Sequence, residues 1–242
     1  ADGAPQLYEQ FPNNIISRGC PPFGPKALQD IVMGDTKKGF EECSVVVEGT
    51  SRYETISNPL PAESPGLVAW WDGPNNCTMK GSFQSPNIQK MIMQLGMPGV
   101  NVRVISCNVG GGFGSKNTVP MEGLYCAALA KACGRPVKLV ISKEAHISTY
   151  MLRLGSRLKA KIGLLPDGTV HAYEGTWLVG SGVHSDFGQG QIANGLGRAM
   201  LLLNKCKNWN YQPHLVATNR CRSGGIRGFG GQESYASLIP IL

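Results

Sequence analysis

The spacing of apolar residues alternates along the chain between a period of two and a period near 3.6, which predicts a mixed α+β fold. Residues 44–57 are rich in Val, Thr and Tyr and read as a strand. Leu67 to Trp71 reads as a second, followed by a turn at Asp72-Gly73-Pro74 and a third strand near residues 77–83. Ile88, Met91, Ile92 and Leu95 have helical spacing, with Gly96 as the stop. Val100 to Cys107 is a strand. Met121, Leu124, Tyr125, Ala128, Leu129 and Ala132 then share one helical face, and Gly134 with Pro136 ends that helix. Val137 to Ser142 is a strand. Residues 156–165 and 169–180 flank Pro166-Asp167-Gly168 as a hairpin. Leu196 to Leu203 predicts a short helix, Leu215 to Thr218 a strand, and Gln232 onward a helix start. Residues 1–36 hold five prolines and show little period. The expected organisation is an irregular arm over 1–37 and a compact α+β body over 38–242.

Strand, glycine loop, helix thus occurs twice. The first loop is Gly110-Gly111-Gly112-Phe113-Gly114-Ser115-Lys116; the second is Arg227-Gly228-Phe229-Gly230-Gly231. Each sets one aromatic ring on a backbone stripped of side chains, where a ligand can approach the N–H groups closely. A helix N-terminus after such a loop favours a bound polar group. A phosphate-cradling P-loop needs G-x-x-x-x-G-K-[ST], but Ser115 precedes Lys116 and Asn117 follows it. A dinucleotide fingerprint needs G-x-G-x-x-G, and the third glycine is missing from either starting point. The two loops are expected to converge on one bound group.

Composition narrows the choice of chemistry. The chain has 242 residues, 42% hydrophobic and 16% charged, enough for a sizeable core. The net charge is +7, but the cations are scattered and not interleaved with aromatics, so nucleic-acid binding is not expected. Arg220, Arg222 and Arg227, beside the second loop, suit a small anion better. No run approaches the length of a membrane span. The first residues have no basic or apolar signal region, so a cytoplasmic setting with reduced thiols is expected for the eight cysteines. No C-x-x-C pair and no H-x-x-x-H pair occurs, which leaves zinc or iron–sulfur ligation unsupported, and the four histidines read as structural. No G-x-S-x-G elbow supports serine chemistry. Glu63 reads equally as a site carboxylate or a solvated turn residue. Gln84, uncharged, can both donate and accept. Of the adjacent Trp70 and Trp71, one is expected in the core.

Several segments in order carry a resemblance. Asn108 to Lys116 resembles the Gly-Gly-Phe-Gly loop of the molybdenum hydroxylases, the xanthine oxidase and aldehyde oxidoreductase family. Thr218-Asn219-Arg220 leading to Ser223-Gly224-Gly225-Ile226-Arg227-Gly228-Phe229-Gly230-Gly231 resembles that family's second cofactor loop. Val46 to Thr50, Asn58-Pro59-Leu60 with Glu63, Gln84 before a helix, and Gly134 to Lys138 match in the same order, from about Lys38 onward. The resemblance implies part of a molybdopterin-binding large subunit of an oxidoreductase. Such enzymes insert water-derived oxygen at an electron-poor carbon of an aldehyde or N-heterocycle. The metal is held by a pterin dithiolene, so no protein ligand to it is expected. It implies cofactor contacts at Gln84, Gly112, Phe113, Gly114, Arg227, Gly228, Phe229 and Gly230, with Gln84 and Arg227 also catalytic. The backbone at Phe113 and Gly114 would face the metal's oxygen ligand. The cofactor would be molybdenum–molybdopterin, in some members the cytosine dinucleotide form, with iron–sulfur clusters and FAD on other domains or subunits.

The chain also departs from the family. It stops shortly after the second loop, with no match to the further pterin-binding segments or the C-terminal catalytic glutamate. The family's earlier subdomain has no counterpart either. A fragment, or one subunit of a split enzyme, inactive alone, is therefore expected. Asn117 stands where purine-oxidising members carry glutamate, and Gln232-Glu233 replaces a Pro-Gln pair, which weakens a purine substrate. Two other functions fit the same residues: a non-catalytic ligand-binding or assembly module of this fold, and a phosphate- or nucleotide-binding module using the glycine loops.

Overall fold

The structure, a computed structural model, describes residues 3–19, 30–54, 59–117, 120–184 and 188–242. Cys20, Asn58 and the end of the strand expected over 44–57 lie outside the described residues. In chain order the elements are β1 (Ile15–Arg18), β2 (Ile31–Met33), α1 (Thr36–Glu41), β3 (Val45–Tyr53), β4 (Gly66–Trp71), β5 (Asn76–Gly81), α2 (Pro86–Gly96) and β6 (Asn101–Ser106). There follow α3 (Pro120–Cys133), β7 (Val137–Val140), α4 (Lys143–Thr149), β8 (Ser156–Leu164), β9 (Val170–Gly182), α5 (Gly188–Leu202), β10 (Asn208–Ala217) and α6 (Gly231–Leu238). The chain divides into two compact units: Ala1–Ile56 with Met151–Leu242, and Ser57–Tyr150.

The first unit is built on a sheet ordered β1-β10-β9-β8-β3, with β2 also on β10. β8 and β9 form the hairpin that Pro166-Asp167-Gly168 announces, and Gly168 takes the φ of +81° that its turn requires. β9 and β10 are parallel, so the chain must cross over between them, and α5 is that crossover. Only Leu196 to Leu203 read as helix in the sequence, because glycines at 188, 190, 195 and 197 lower the local propensity. Packing overrides this: a Cβ at Gly195 would lie 2.8 Å from Trp177, so the glycine lets α5 sit on the sheet. The core gathers Trp177, Trp209, Tyr173, Ile162, Ile192 and Leu215.

β10 is longer than its apolar run, starting at Asn208. Alternate residues Trp209, Tyr211, Pro213, Leu215 and Ala217 are buried. Pro213 is tolerated because its edge of β10 is shared by two short strands. β2 pairs with 209–211 and β1 with 214–216, while the Pro213 carbonyl accepts from Gly19 N between them. The proline-rich lead-in, expected to be irregular over 1–37, thus supplies two strands. Three or four residues are too few to show a period, and their partner lies far along the chain.

The second unit is a sheet ordered β6-β5-β4-β7 with α2 and α3. Its core includes Leu67, Ala69, Met79, Phe83, Met93 and Val102. The large apolar residues of α3 are split: Leu124 packs against the core, but Met121, Tyr125 and Leu129 are about half exposed. Gly123, Cys126, Ala127 and Ala130 are buried in their place. Small residues let the helix approach the sheet, where Trp71 Nε1 donates to the Ala127 carbonyl at 2.8 Å and Cys126 Sγ to that of Val137. Trp71 is therefore the tryptophan that packs on the core, and Trp70 Nε1 donates to Asp72.

Candidate functional site

Each glycine loop follows a strand and precedes a helix, as its sequence order requires. The first, in the Ser57–Tyr150 unit, leaves β6 and makes two overlapping turns around Phe113. Ser115 N donates to the Gly112 carbonyl at 2.9 Å, and Asn117 N to that of Gly114 at 3.1 Å. Phe113 sits at φ +53° between Gly111 at +90° and Gly114 at +106°. Left-handed torsions cost a residue with a Cβ about 1–2 kcal/mol, so the phenylalanine is held there by its surroundings.

Those surroundings are side chains. Glu63 Oε2 accepts from Lys116 Nζ at 2.6 Å, from Gly110 N at 2.8 Å and from Ser82 Oγ. One carboxylate oxygen thereby ties both ends of the loop. Lys116 is fully buried, whereas the Glu63 side chain is 41% exposed. The Lys116 ammonium, with Ser82 and Gly110, pulls the Glu63 carboxyl down to about 2. Gln84, between β5 and α2, reaches the middle of the loop: its Oε1 accepts from Gly114 N at 2.8 Å, and its own N donates to the Lys116 carbonyl. A Cβ on Gly112 would collide with the Gln84 amide, which explains glycine there. Of the two backbone donors expected to face a bound oxygen, Gly114 N–H is thus taken by Gln84. Phe113 N–H has no acceptor among the described residues. The Phe113 ring is 42% exposed.

The second loop, in the other unit, follows β10 and leads into α6. Phe229 lies at φ +41° between Gly228 at +100° and Gly230 at +89°. Phe229 N donates to the Ile226 carbonyl, and Gly231 N to that of Gly228. Arg153 Nη2 donates to the Arg227 carbonyl at 2.7 Å while Nη1 pairs with Glu233 Oε1 at 3.0 Å; both side chains are buried. From α5, Asn194 Nδ2 reaches the Phe229 carbonyl and Gln191 Nε2 the Gly224 carbonyl. A Cβ on Gly230 would run into the Gln191 backbone. The Arg227 side chain is exposed and has no carboxylate partner among the described residues. Beside the loop lies a cavity of about 530 Å³ lined by Arg198, Gly228, Gly231, Gln232, Tyr235 and Ile239.

Gln84 therefore joins Gly112, Phe113 and Gly114 in one arrangement, and Arg227, Gly228, Phe229 and Gly230 form a second. Sequence reasoning missed the clamps. In the sequence Lys116 is the last residue of the first loop, Arg153 is one of the scattered cations and Glu233 is a departure from a pattern. Among the described residues no group of three His, Cys, Asp or Glu side chains could hold a metal ion, and no helix is long and apolar enough to cross a membrane. The seven described cysteines are free thiols. His146 is buried edge-on to Tyr150, and His171 pairs with Glu42 at 2.7 Å.

Residues 9–238 match the molybdopterin cofactor-binding domain family. The nicotinate dehydrogenase large molybdopterin subunit of Eubacterium barkeri is 28% identical over 205 residues, covering 84% of this chain and 48% of its own length. The probable hypoxanthine oxidase of Escherichia coli (strain K12) is 27% identical, covering 99% of this chain and 26% of its own length. This chain thus spans half or less of these relatives. The solved structure of the Desulfovibrio gigas aldehyde oxidoreductase superposes with a TM-score of 0.77 at 25% identity, covering 97% of this chain and 25% of that one. Quinoline 2-oxidoreductase from Pseudomonas putida 86 shares the fold, with a TM-score of 0.75 over 90% of this chain and 27% of its own. With nearly its whole length matched, the chain belongs to the molybdopterin cofactor-binding domain family.

Proposed function

We infer that this chain forms part of the molybdopterin site of a molybdenum hydroxylase, an oxidoreductase that oxidises an aldehyde or N-heterocycle with water-derived oxygen. One observation carries the reading: two phenylalanines are held in left-handed backbone, where glycine would be easier, and both rings remain more than a third exposed. Strain kept at an accessible aromatic ring points to a bound group. The residues present fit an organic cofactor that brings its own metal ligands. They offer bare backbone at Gly111 to Gly114 and Gly228 to Gly230, and no cluster of protein ligands among the described residues.

The bound cofactor supplies the two-electron redox chemistry. The chain's own groups position it. Phe113 N–H donates to a polar atom of the cofactor. The Gln84 amide, its oxygen already fixed by Gly114, presents its NH₂. The Arg227 guanidinium offers its planar fork to an anionic or carbonyl group of cofactor or substrate. Phe113 and Phe229 exclude water. Gly112 and Gly230 let Gln84 and Gln191 close on the loops, and Gly114 and Gly228 take the positive φ that carries each phenylalanine. The cytosine dinucleotide form of the pterin, iron–sulfur and flavin partners and a cytoplasmic setting belong to this same reading, as do other polypeptide segments that complete the site and carry the base.

The test uses the assembled enzyme. Arg227→Lys is expected to lower turnover about tenfold or more, with unchanged thermal unfolding, because an ammonium cannot make the bidentate contact. Gln84→Ala is expected to reduce bound pterin and molybdenum. Full cofactor content and turnover in both variants would overturn the assignment, and turnover by the isolated 242-residue chain would overturn the need for other segments.

A further inference from the structure

The strand pairings of the first unit arrange charge in two opposite ways. On one cross-strand row, Lys161 of β8 lies between Glu48 of β3 and Glu174 of β9, and Lys161 Nζ comes within 3.8 Å of Glu48. That is the ordinary favourable pattern, opposite charges on facing positions. Two rows along the same strands the pattern reverses. Arg52 of β3 faces Arg157 of β8 directly, and the next position across, on β9, is Leu178. Like charges opposite one another destabilise a sheet. A third guanidinium, Arg220, comes from the segment after β10. The three line a single concave site of about 470 Å³ whose apolar walls include Leu178 and Val216. The one carboxylate there, Glu54, pairs with Arg52 at 2.5 Å. Arg157 and Arg220 have no carboxylate partner among the described residues. The site therefore holds three positive charges against one negative.

We propose that this pocket is a binding site for a phosphate-bearing small molecule of mononucleotide size, lined by Thr218 and Arg220 upstream of the second glycine loop but by no residue of Arg227 to Gly231. The charge suits a dianion: with Arg52 partly neutralised by Glu54, two guanidinium groups remain to take phosphate oxygens as bidentate partners. The volume lies within the usual range for small-molecule sites. Leu178, 38% exposed in the middle of a strand, gives the non-phosphate part of the ligand an apolar surface. A bound dianion also removes the Arg52–Arg157 repulsion, which the nearby row avoids by alternating its charges.

Isothermal titration calorimetry of the 242-residue chain with sodium pyrophosphate, inorganic phosphate and AMP tests this. Binding of pyrophosphate or AMP at millimolar concentration or below is expected, weakening as salt rises. Arg157→Gln and Arg220→Gln, both at exposed positions, should each weaken it about tenfold, in line with the worth of a charged hydrogen bond. Arg103→Gln, in the other unit, should leave it unchanged. Circular dichroism of each variant separates lost binding from lost folding. AMP binding tighter than inorganic phosphate would assign an organic phosphate through the Leu178 wall. Equal affinities would assign free phosphate and overturn the mononucleotide size. No heat with any of the three compounds, binding indifferent to both arginine variants, or binding of a single-stranded oligonucleotide in their place would overturn the proposal.

Discussion

In the first glycine loop the group that grips the backbone is an anion, and in the second it is a cation. Glu63 accepts the Gly110 N–H and is neutralised by Lys116; Arg153 donates to the Arg227 carbonyl and is neutralised by Glu233. The loops otherwise share a design: a phenylalanine with positive φ, a glycine of positive φ immediately after it, and an amide side chain reaching the loop, Gln84 to an N–H and Asn194 to a carbonyl. The difference lies in what each clamp leaves free. An anion consumes loop donors and a cation consumes loop acceptors. At the first loop Glu63 and Gln84 take the N–H groups of Gly110 and Gly114, so Phe113 N–H remains for a ligand. At the second, the cation is spent on the backbone and the adjacent Arg227 side chain remains. The clamps also differ in depth: Glu233 is fully buried, whereas Glu63 is 41% exposed.

Depth predicts the largest effect. Arg153→Met strands Glu233 in the core, and removing one member of a buried ion pair costs about 3–5 kcal/mol. Urea denaturation of the variant should show a loss of that size. Arg153→Met combined with Glu233→Leu should recover much of it, since a well-packed apolar pair can replace a buried ion pair. A single-variant loss below about 1 kcal/mol would mean that the clamp is no deeper than a surface pair.

The same comparison shows what the sequence could and could not reveal. Glycine spacing, the strand before each loop and the helix after it were legible locally, and so was the hairpin at Pro166-Asp167-Gly168. The clamps were not, because their partners are 53 and 80 residues apart along the chain. A lysine after a glycine loop reads as exposed until a carboxylate from a distant loop is folded against it. Much of the α3 face differs from its sequence pattern for a related reason. Large side chains dominate a periodicity count, but close helix–sheet packing uses small ones, and Gly123, Ala127 and Ala130 carry no signal of their own. β1 and β2 were hidden because β10 supplies the pairing that makes them strands.

A smaller effect tests whether the two loops share their strain. Alanine and glycine at 113 or 229 both delete the ring, but only alanine keeps a Cβ in left-handed backbone. That conformation costs about 1–2 kcal/mol, partly offset by the greater freedom of glycine in the unfolded chain. Phe113→Gly should therefore be more stable than Phe113→Ala by about 1 kcal/mol, and likewise at 229. The order is the reverse of that at an ordinary helical site, where alanine wins. If alanine were the more stable at either position, that loop would not hold its phenylalanine at positive φ, and the parallel between the loops would fail there. Loss of bound pterin in all four variants would place the rings themselves in the site.

The smallest effect is also the one that tells the clamps apart by pH. The Lys116 ammonium beside Glu63, with Ser82 and Gly110, holds its carboxyl at about 2, below the ordinary 4.5. A carboxyl lowered by folding stabilises the native state above its unfolded value. The contribution is fully present above about 4.5 and disappears as pH falls from there through about 2. Because Glu63 is partly exposed, solvent screening keeps the effect modest. Its shape is the readout. Thermal unfolding followed between pH 6 and pH 2 should fall with acid in the wild-type chain, and Glu63→Gln should flatten part of that fall while lowering stability at pH 6. Lys116→Met should flatten it too, since the cation is the largest cause of the shift. Parallel acid profiles for the wild-type chain and Glu63→Gln would show that the carboxylate does not grip Gly110 and Lys116 through its charge. The first loop would then be held by Gln84 alone.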